Sequence, residues 1–198
     1  MSALLLSVLA VGPLWLVTRA TGVAAFLLLT AAFGLGLAAT RRTLASRWWP
    51  RFATQRMHRN VTLLALVLLL VHVVSTLADS YVRVGWWAWI VPGVSGYLPL
   101  AVGLGTAAFD LIVVLVVTSL LRDRMSARGW RVLHGTAYAA WPLAFLHFLL
   151  AGTDAASGGW GGYLAGTCLL VLGLAAGARW LVPDVQGRPP HSVRGHLP

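Results

Sequence analysis

Five stretches of this sequence are apolar over about the length of a membrane-crossing helix, and that leaves few architectures open. A helix needs roughly 20 residues, with a lower limit near 17, to cross a hydrocarbon core of ~30 Å. Residues 22–40, 58–78, 98–121, 132–151 and 162–182 meet that length. A sixth run, residues 2–18, is short and interrupted by Pro13. A cleaved signal peptide is the competing reading of that run, but such a peptide wants positive charge ahead of its apolar region, and Met1 to Val17 contains none. The expectation is therefore an all-α integral membrane protein. It is a six-helix transmembrane bundle with a marginal first helix, spanning residues 1–182 and followed by a polar, proline-rich, disordered cytoplasmic tail at 183–198.

A net charge of +10 raises the question of nucleic acid, and the placement of the charge answers it. Every one of the 15 basic residues is arginine, and glutamate is absent. Arg41, Arg42, Arg47, Arg51, Arg56 and Arg59 fall in the second connection, Arg122, Arg124, Arg128 and Arg131 in the fourth, and Arg179, Arg188 and Arg194 in or near the tail. The first and third connections hold only Arg19 and Arg83, and the fifth holds no base. Alternation of this kind is the positive-inside pattern of six spans with both termini cytoplasmic, so orientation accounts for the charge and nucleic acid is not expected as a partner. The arginine bias, with heavy use of Ala, Leu, Val and Gly, points to a GC-rich bacterial genome, and hence to the cytoplasmic membrane of a bacterium.

Short connections leave no room for a separate nucleotide-binding domain. The longest external piece, residues 79–97, contains GWWAWIVPG, whose Trp86, Trp87 and Trp89 suit an aromatic belt at the outer interface. Cys168 has no intramolecular disulfide partner and reads as a small core residue, and His191 and His196 in the tail read as solvated. The GLG triplets at 34–36 and 103–105 sit inside spans, where small residues let helices approach closely.

Four of the six histidines lie in two of the spans: His58 and His72 in the third, His134 and His147 in the fifth. Ionisable residues inside a membrane are costly and mark functional sites by default. Fourteen residues separate the first two, which is ~21 Å of rise and nearly four whole turns, so both rings leave one helix face at two depths. Thirteen separate the second two, giving ~20 Å. Both spans run from cytoplasm to exterior, so His58 matches His134 in depth and His72 matches His147. Zinc wants four close ligands, and neither level offers cysteines or carboxylates to complete a set. A haem brings its own four equatorial nitrogens and needs only an axial ligand on each side, so two levels imply two haems stacked across the bilayer. One difficulty remains: at 100° per residue, thirteen residues leave the two rings of the fifth span ~140° apart. Pro142 lies between them, and a proline kinks or locally rewinds a helix, so it is expected to correct much of that angle.

The segments HRNVTLLALVLLLVH and WRVLHGTAYAAWPLAFLH, with these spacings in the third and fifth of six spans, resemble the ferric reductase-like transmembrane domain over roughly residues 20–182. That superfamily includes NADPH oxidases, ferric reductases and the haem subunit of periplasmic methionine-sulfoxide reductase. The resemblance implies that His58, His72, His134 and His147 are axial iron ligands of two b-type haems, paired His58 with His134 and His72 with His147. It implies a b-type cytochrome, the haem-containing membrane subunit of an oxidoreductase, moving electrons from a cytoplasmic donor to an acceptor on the outer side. Oxidases and eukaryotic ferric reductases fuse a cytoplasmic flavin and NADPH module to this bundle. None follows here, so the donor is expected to be a separate flavoprotein or other carrier, with a flavin on this chain or a partner left open.

Arg56, Arg59 and Arg131 flank the inner histidines and are candidates to pair with haem propionates through charge-assisted hydrogen bonds, besides marking the inner face. Arg83 is a weaker candidate for the same service at the outer haem. Asp110, the one carboxylate well inside a span, reads as a structural hydrogen-bonder or a proton relay, and Asp79 and Asp154 at the outer ends read as solvated. Tyr138, Trp141 and Phe148 read as packing. Two readings compete with the cytochrome: a proton-coupled transporter using Asp110 and the histidines as a relay, and a non-catalytic scaffold whose histidines only join helices. Against the transporter, the chain lacks paired broken helices and an evident polar pathway.

Overall fold

Apolar runs of this length fold as helices because a backbone in lipid must satisfy its own hydrogen bonds. The computed structural model of the chain describes residues 12–39, 51–79, 82–156 and 159–181. Helix α1 is Pro13–Ala39, α2 is Arg51–Ala78, α3 is Pro99–Leu120, α4 is Ala127–His134, α5 is Ala137–Ala151 and α6 is Trp160–Leu181. Single turns of tight helix at Trp86–Trp89 and Arg122–Arg124, and a short turn at Thr153–Ala156, fill the connections. Prolines open α1 and α3, where the missing N–H has no intrahelical partner to lose. Ser126 caps α4 by accepting a hydrogen bond from the Gly129 N–H at 3.1 Å.

Helices α1, α2, α3 and α6 are each long and apolar enough to cross a membrane. Their outward faces are apolar as well: Leu63, Val67, Leu70 and Val74 line one exposed stripe of α2 at intervals of three and four residues. A water-soluble helix would place polar groups on such a stripe.

Two expectations are corrected. The predicted connection around Arg19 does not exist, because α1 runs unbroken from Pro13 through residue 39 and absorbs the end of the run at 2–18. The reason is local: Pro13 is harmless at the first position of a helix, and no breaker follows it until the run ends. The fifth span is not one helix. It is α4 and α5, separated by a turn at Gly135 and Thr136. The predicted remainder of the first helix at 2–11, the bases Arg41, Arg42 and Arg47, and the tail at 183–198 with His191 and His196 lie outside the described residues.

Packing follows two antiparallel pairs, α1 with α2 and α3 with α5, joined where α1 meets α5 and α6. Phe26 of α1, Trp141 of α5, and Cys168 and Leu172 of α6 form the buried core, with Phe33, Phe145 and Phe148 against it. Phe26 stacks on Phe148 with ring centres 4.6 Å apart. The Trp141 indole N–H donates to the Thr30 hydroxyl at 3.0 Å, which in turn donates to the Phe26 carbonyl at 2.9 Å. Cys168 is thus the small core residue expected, and Trp141 and Phe148 pack as expected. The two histidine-bearing elements, α2 and α4–α5, are not among the extensively packed pairs. Their imidazoles face each other across the gap in two pairs.

Candidate functional site

On α2, His58, Ala65 and His72 recur every seven residues and so share one face. Ala65, between the two histidines, is completely buried, and Thr54 and Ser75 on the same side are buried too. This face lies on α1. The His72 Nδ1 stands 2.8 Å from the Thr18 carbonyl oxygen and the His58 Nδ1 stands 2.8 Å from the Ala32 carbonyl oxygen, both on α1. Below each ring the backbone is pinned in the same way: Thr62 donates its hydroxyl to the His58 carbonyl at 2.7 Å and Thr76 to the His72 carbonyl at 2.6 Å.

His147 on α5 repeats the arrangement against α3, with its Nδ1 2.8 Å from the Ala101 carbonyl oxygen. A carbonyl only accepts, so in all three rings Nδ1 carries the proton and donates it. In a neutral imidazole that leaves Nε2 with the lone pair. His134 differs. Its Nδ1 is buried with no hydrogen-bond partner, and its ring stacks on Trp130 with centres 4.7 Å apart and planes 19° apart. The Arg122 guanidinium lies over the Trp130 ring, 4.8 Å from its centre.

The four rings meet in the two predicted pairs. His58 and His134 have ring centres 6.4 Å apart with planes 72° apart, and His72 and His147 have centres 6.2 Å apart with planes 74° apart. With metal–imidazole bonds of about 2.0–2.1 Å and a ring radius of roughly 1.1 Å, two imidazoles on opposite sides of one metal ion stand about 6.3 Å centre to centre. Both pairs stand at that distance. Among the described residues no three His, Cys, Asp or Glu side chains cluster to hold a bare metal ion. The donor set therefore suits a metal that arrives with equatorial ligands of its own.

The two rings of the fifth span face their partners on α2 despite the 140° difficulty. Helix α5 continues through Pro142, whereas the break falls at Gly135 and Thr136, directly after His134. The turn keeps right-handed angles at Gly135 and Thr136 and closes i to i+3 bonds from Thr136 to Leu133 and from Tyr138 to Gly135, a tighter winding that changes the angle between the two rings.

Arg56, Arg59 and Arg131 are exposed at the His58–His134 end of the bundle. Trp86 and Trp87 are 75% and 73% exposed in the connection leading to the start of α3, near the His72–His147 end. Their loop is fixed from beneath, where the Thr106 hydroxyl donates to the Ala88 carbonyl. Asp110 is part-buried on α3, and Arg83 is exposed. Asp154 is not the solvated carboxylate expected. It forms an ion pair with Arg19, whose guanidinium also stacks over Trp15 at 4.7 Å and Trp160 at 5.8 Å. Reading Arg19 as part of a connection hid that pairing, and the stack of Trp130 on His134 was missed independently. The latter had a sequence signal, since residues four apart share a helix face.

A sequence model of the family described as ferric reductase-like transmembrane component matches residues 21–145, more than half of the chain. His58, His72 and His134 lie inside that match and His147 lies two residues beyond it. No curated protein and no solved structure gives a significant match.

Proposed function

The chain belongs to the ferric reductase-like transmembrane component family, and from that membership and the two facing histidine pairs we propose a membrane-spanning b-type cytochrome. It passes single electrons from a donor on its arginine-rich, cytoplasmic side to an acceptor on its tryptophan-rich, outer side. The observation that carries the reading is the separation of the paired rings, 6.4 Å and 6.2 Å, at which two imidazoles grip one iron.

His58 and His134 would hold an inner haem b, and His72 and His147 an outer one. Haem bound there supplies a one-electron ferric/ferrous couple. The chain's own work is to present neutral Nε2 donors, to hold three of the four Nδ1 protons on helix carbonyls, and to keep water out with apolar α2 and α5 side chains. Fourteen residues of α2 set the two levels ~21 Å apart, most of a ~30 Å hydrocarbon core. Arg56, Arg59 and Arg131 stand ready for inner propionates through charge-assisted hydrogen bonds. The partners implied are a separate flavoprotein or similar carrier as donor and an external small molecule or protein as acceptor. The setting is a bacterial cytoplasmic membrane, with the start of α1 on the outer side and the end of α6 on the cytoplasmic side.

The test is a reduced-minus-oxidised absorption spectrum of the purified full chain, made in haem-sufficient cells, with the haem extracted and counted. A low-spin b-type spectrum and about two haems per chain are expected. Colourless protein overturns the reading. Retention of both haems after all four histidines are replaced by apolar residues overturns the ligand assignment.

A further inference from the structure

In an α-helix, the carbonyl of residue i lies beside the side chain of residue i+4. Hydroxyls in this protein use that adjacency repeatedly: Thr30 donates to the Phe26 carbonyl, Thr106 to Val102, Thr118 to Val114 and Thr167 to Tyr163, each four residues back. Any β-carbon at i+4 partly occupies the approach to that carbonyl. The residues four after the three carbonyls that receive a histidine are all glycine: Gly22 after Thr18, Gly36 after Ala32 and Gly105 after Ala101.

The space is used to different degrees. A β-carbon on Gly105 would sit 2.6 Å from the His147 Nδ1 and 2.8 Å from its Cε1. One on Gly22 would sit 2.8 Å from both the Nδ1 and the Cε1 of His72. Real β-carbons do not approach that closely, so an alanine at either position must displace the ring. One on Gly36 would meet the His58 Cε1 at 3.5 Å, an ordinary van der Waals contact. Gly34, two residues away on the same helix, would touch only Leu172, also at 3.5 Å.

Resting on the haem reading above, we infer that Gly22 and Gly105 are positioning residues for the outer haem: each leaves the slot through which a ligand histidine hands its Nδ1 proton to a helix carbonyl. That hydrogen bond fixes ring orientation and tautomer and directs the Nε2 lone pair at the iron. Partners of this kind typically change metal affinity roughly 10–100-fold when lost. The outer pair has such a slot on both sides, through α1 and through α3. The inner pair has only the looser one at Gly36, because His134 has no carbonyl partner.

The test compares full-length G22A, G105A, G36A and G34A with the parent for haem per chain and for the low-spin electron paramagnetic resonance signals of the oxidised protein. G22A and G105A should each lose the outer site's signal, with haem falling from about two towards one per chain, while G36A and G34A keep both. Unchanged haem content and signals in both G22A and G105A overturn the inference and leave the haem reading standing. A colourless parent removes both. If G105A accumulates poorly, the double variant G105A/H147A is compared with H147A alone. Equal yields of those two support the inference, since the glycine then matters only through the ring. A double variant that accumulates less than H147A alone overturns it.

Discussion

At the scale of single residues, the four histidines are not equivalent. His58, His72 and His147 each give Nδ1 to a helix carbonyl at 2.8 Å, and His134 gives its to nothing. What orients His134 is the Trp130 ring stacked on it at 4.7 Å, itself covered by Arg122. Stacked aromatic pairs contribute about 0.5–1.5 kcal/mol beyond their burial, and a cation over an exposed ring about 0.5–1. Replacing Trp130 by alanine should therefore loosen the inner site alone. Haem per chain in W130A should fall by less than half under mild detergent washing, with the outer signal intact. Loss of both signals together would show that Trp130 supports the whole bundle instead. The histidines were legible in the sequence because rings at two depths follow from 1.5 Å per residue. Gly36 and Gly105 were read only as packing and Gly22 drew no reading, although Gly22 and Gly36 stand fourteen apart, as do His58 and His72, on helices that run antiparallel.

At the scale of elements, the informative feature is the interrupted fifth span. An ideal helix from residue 132 to 151 turns His134 and His147 away from each other, and the sequence suggested that Pro142 repairs this. Helix α5 runs through Pro142, and a second irregularity, the turn at Gly135 and Thr136, lies directly after His134. Proline in a helix interior is about 3 kcal/mol less favourable than alanine, so P142A should be at least as stable as the parent. Its reduced-minus-oxidised spectrum and haem content should match the parent's, with thermal melting unchanged or raised. A variant that loses the His134 or His147 site would return the angular correction to the proline. The break was hard to read because Gly135 adopts ordinary right-handed helical angles, φ −64 and ψ −19, rather than a conformation only glycine tolerates.

At the scale of the whole molecule, the two histidine-bearing elements α2 and α4–α5 are held by other helices rather than by each other. Helix α1 supports α2, helix α3 supports α5, and the aromatic core of Phe26, Trp141, Cys168 and Leu172 locks α1 to α5 and α6. The two histidine-bearing elements are thereby held apart by their own supporting helices. Under the proposed function the two sites act in series, and conduction should fail when either is removed. In sealed vesicles with ferricyanide trapped inside and an impermeant reductant outside, the parent should reduce the trapped oxidant. H72A and H147A should stop that reduction while the inner site still takes electrons from its own side. Transfer at the parental rate in either variant would exclude the series arrangement.

Length and hydropathy alone determined that this chain crosses a membrane several times, because an apolar run of about 20 residues has no other low-energy home. Helical periodicity alone determined the two depths at which histidines stand. The tertiary structure decided what periodicity has no access to. It settled where the fifth span breaks, that α1 carries Arg19 inside a helix and pairs it with Asp154, and which helix carbonyls receive the ligand rings. Those outcomes depend on contacts between residues 26 to 135 positions apart, and the strength of such a contact is a property of the packed neighbours rather than of either segment alone.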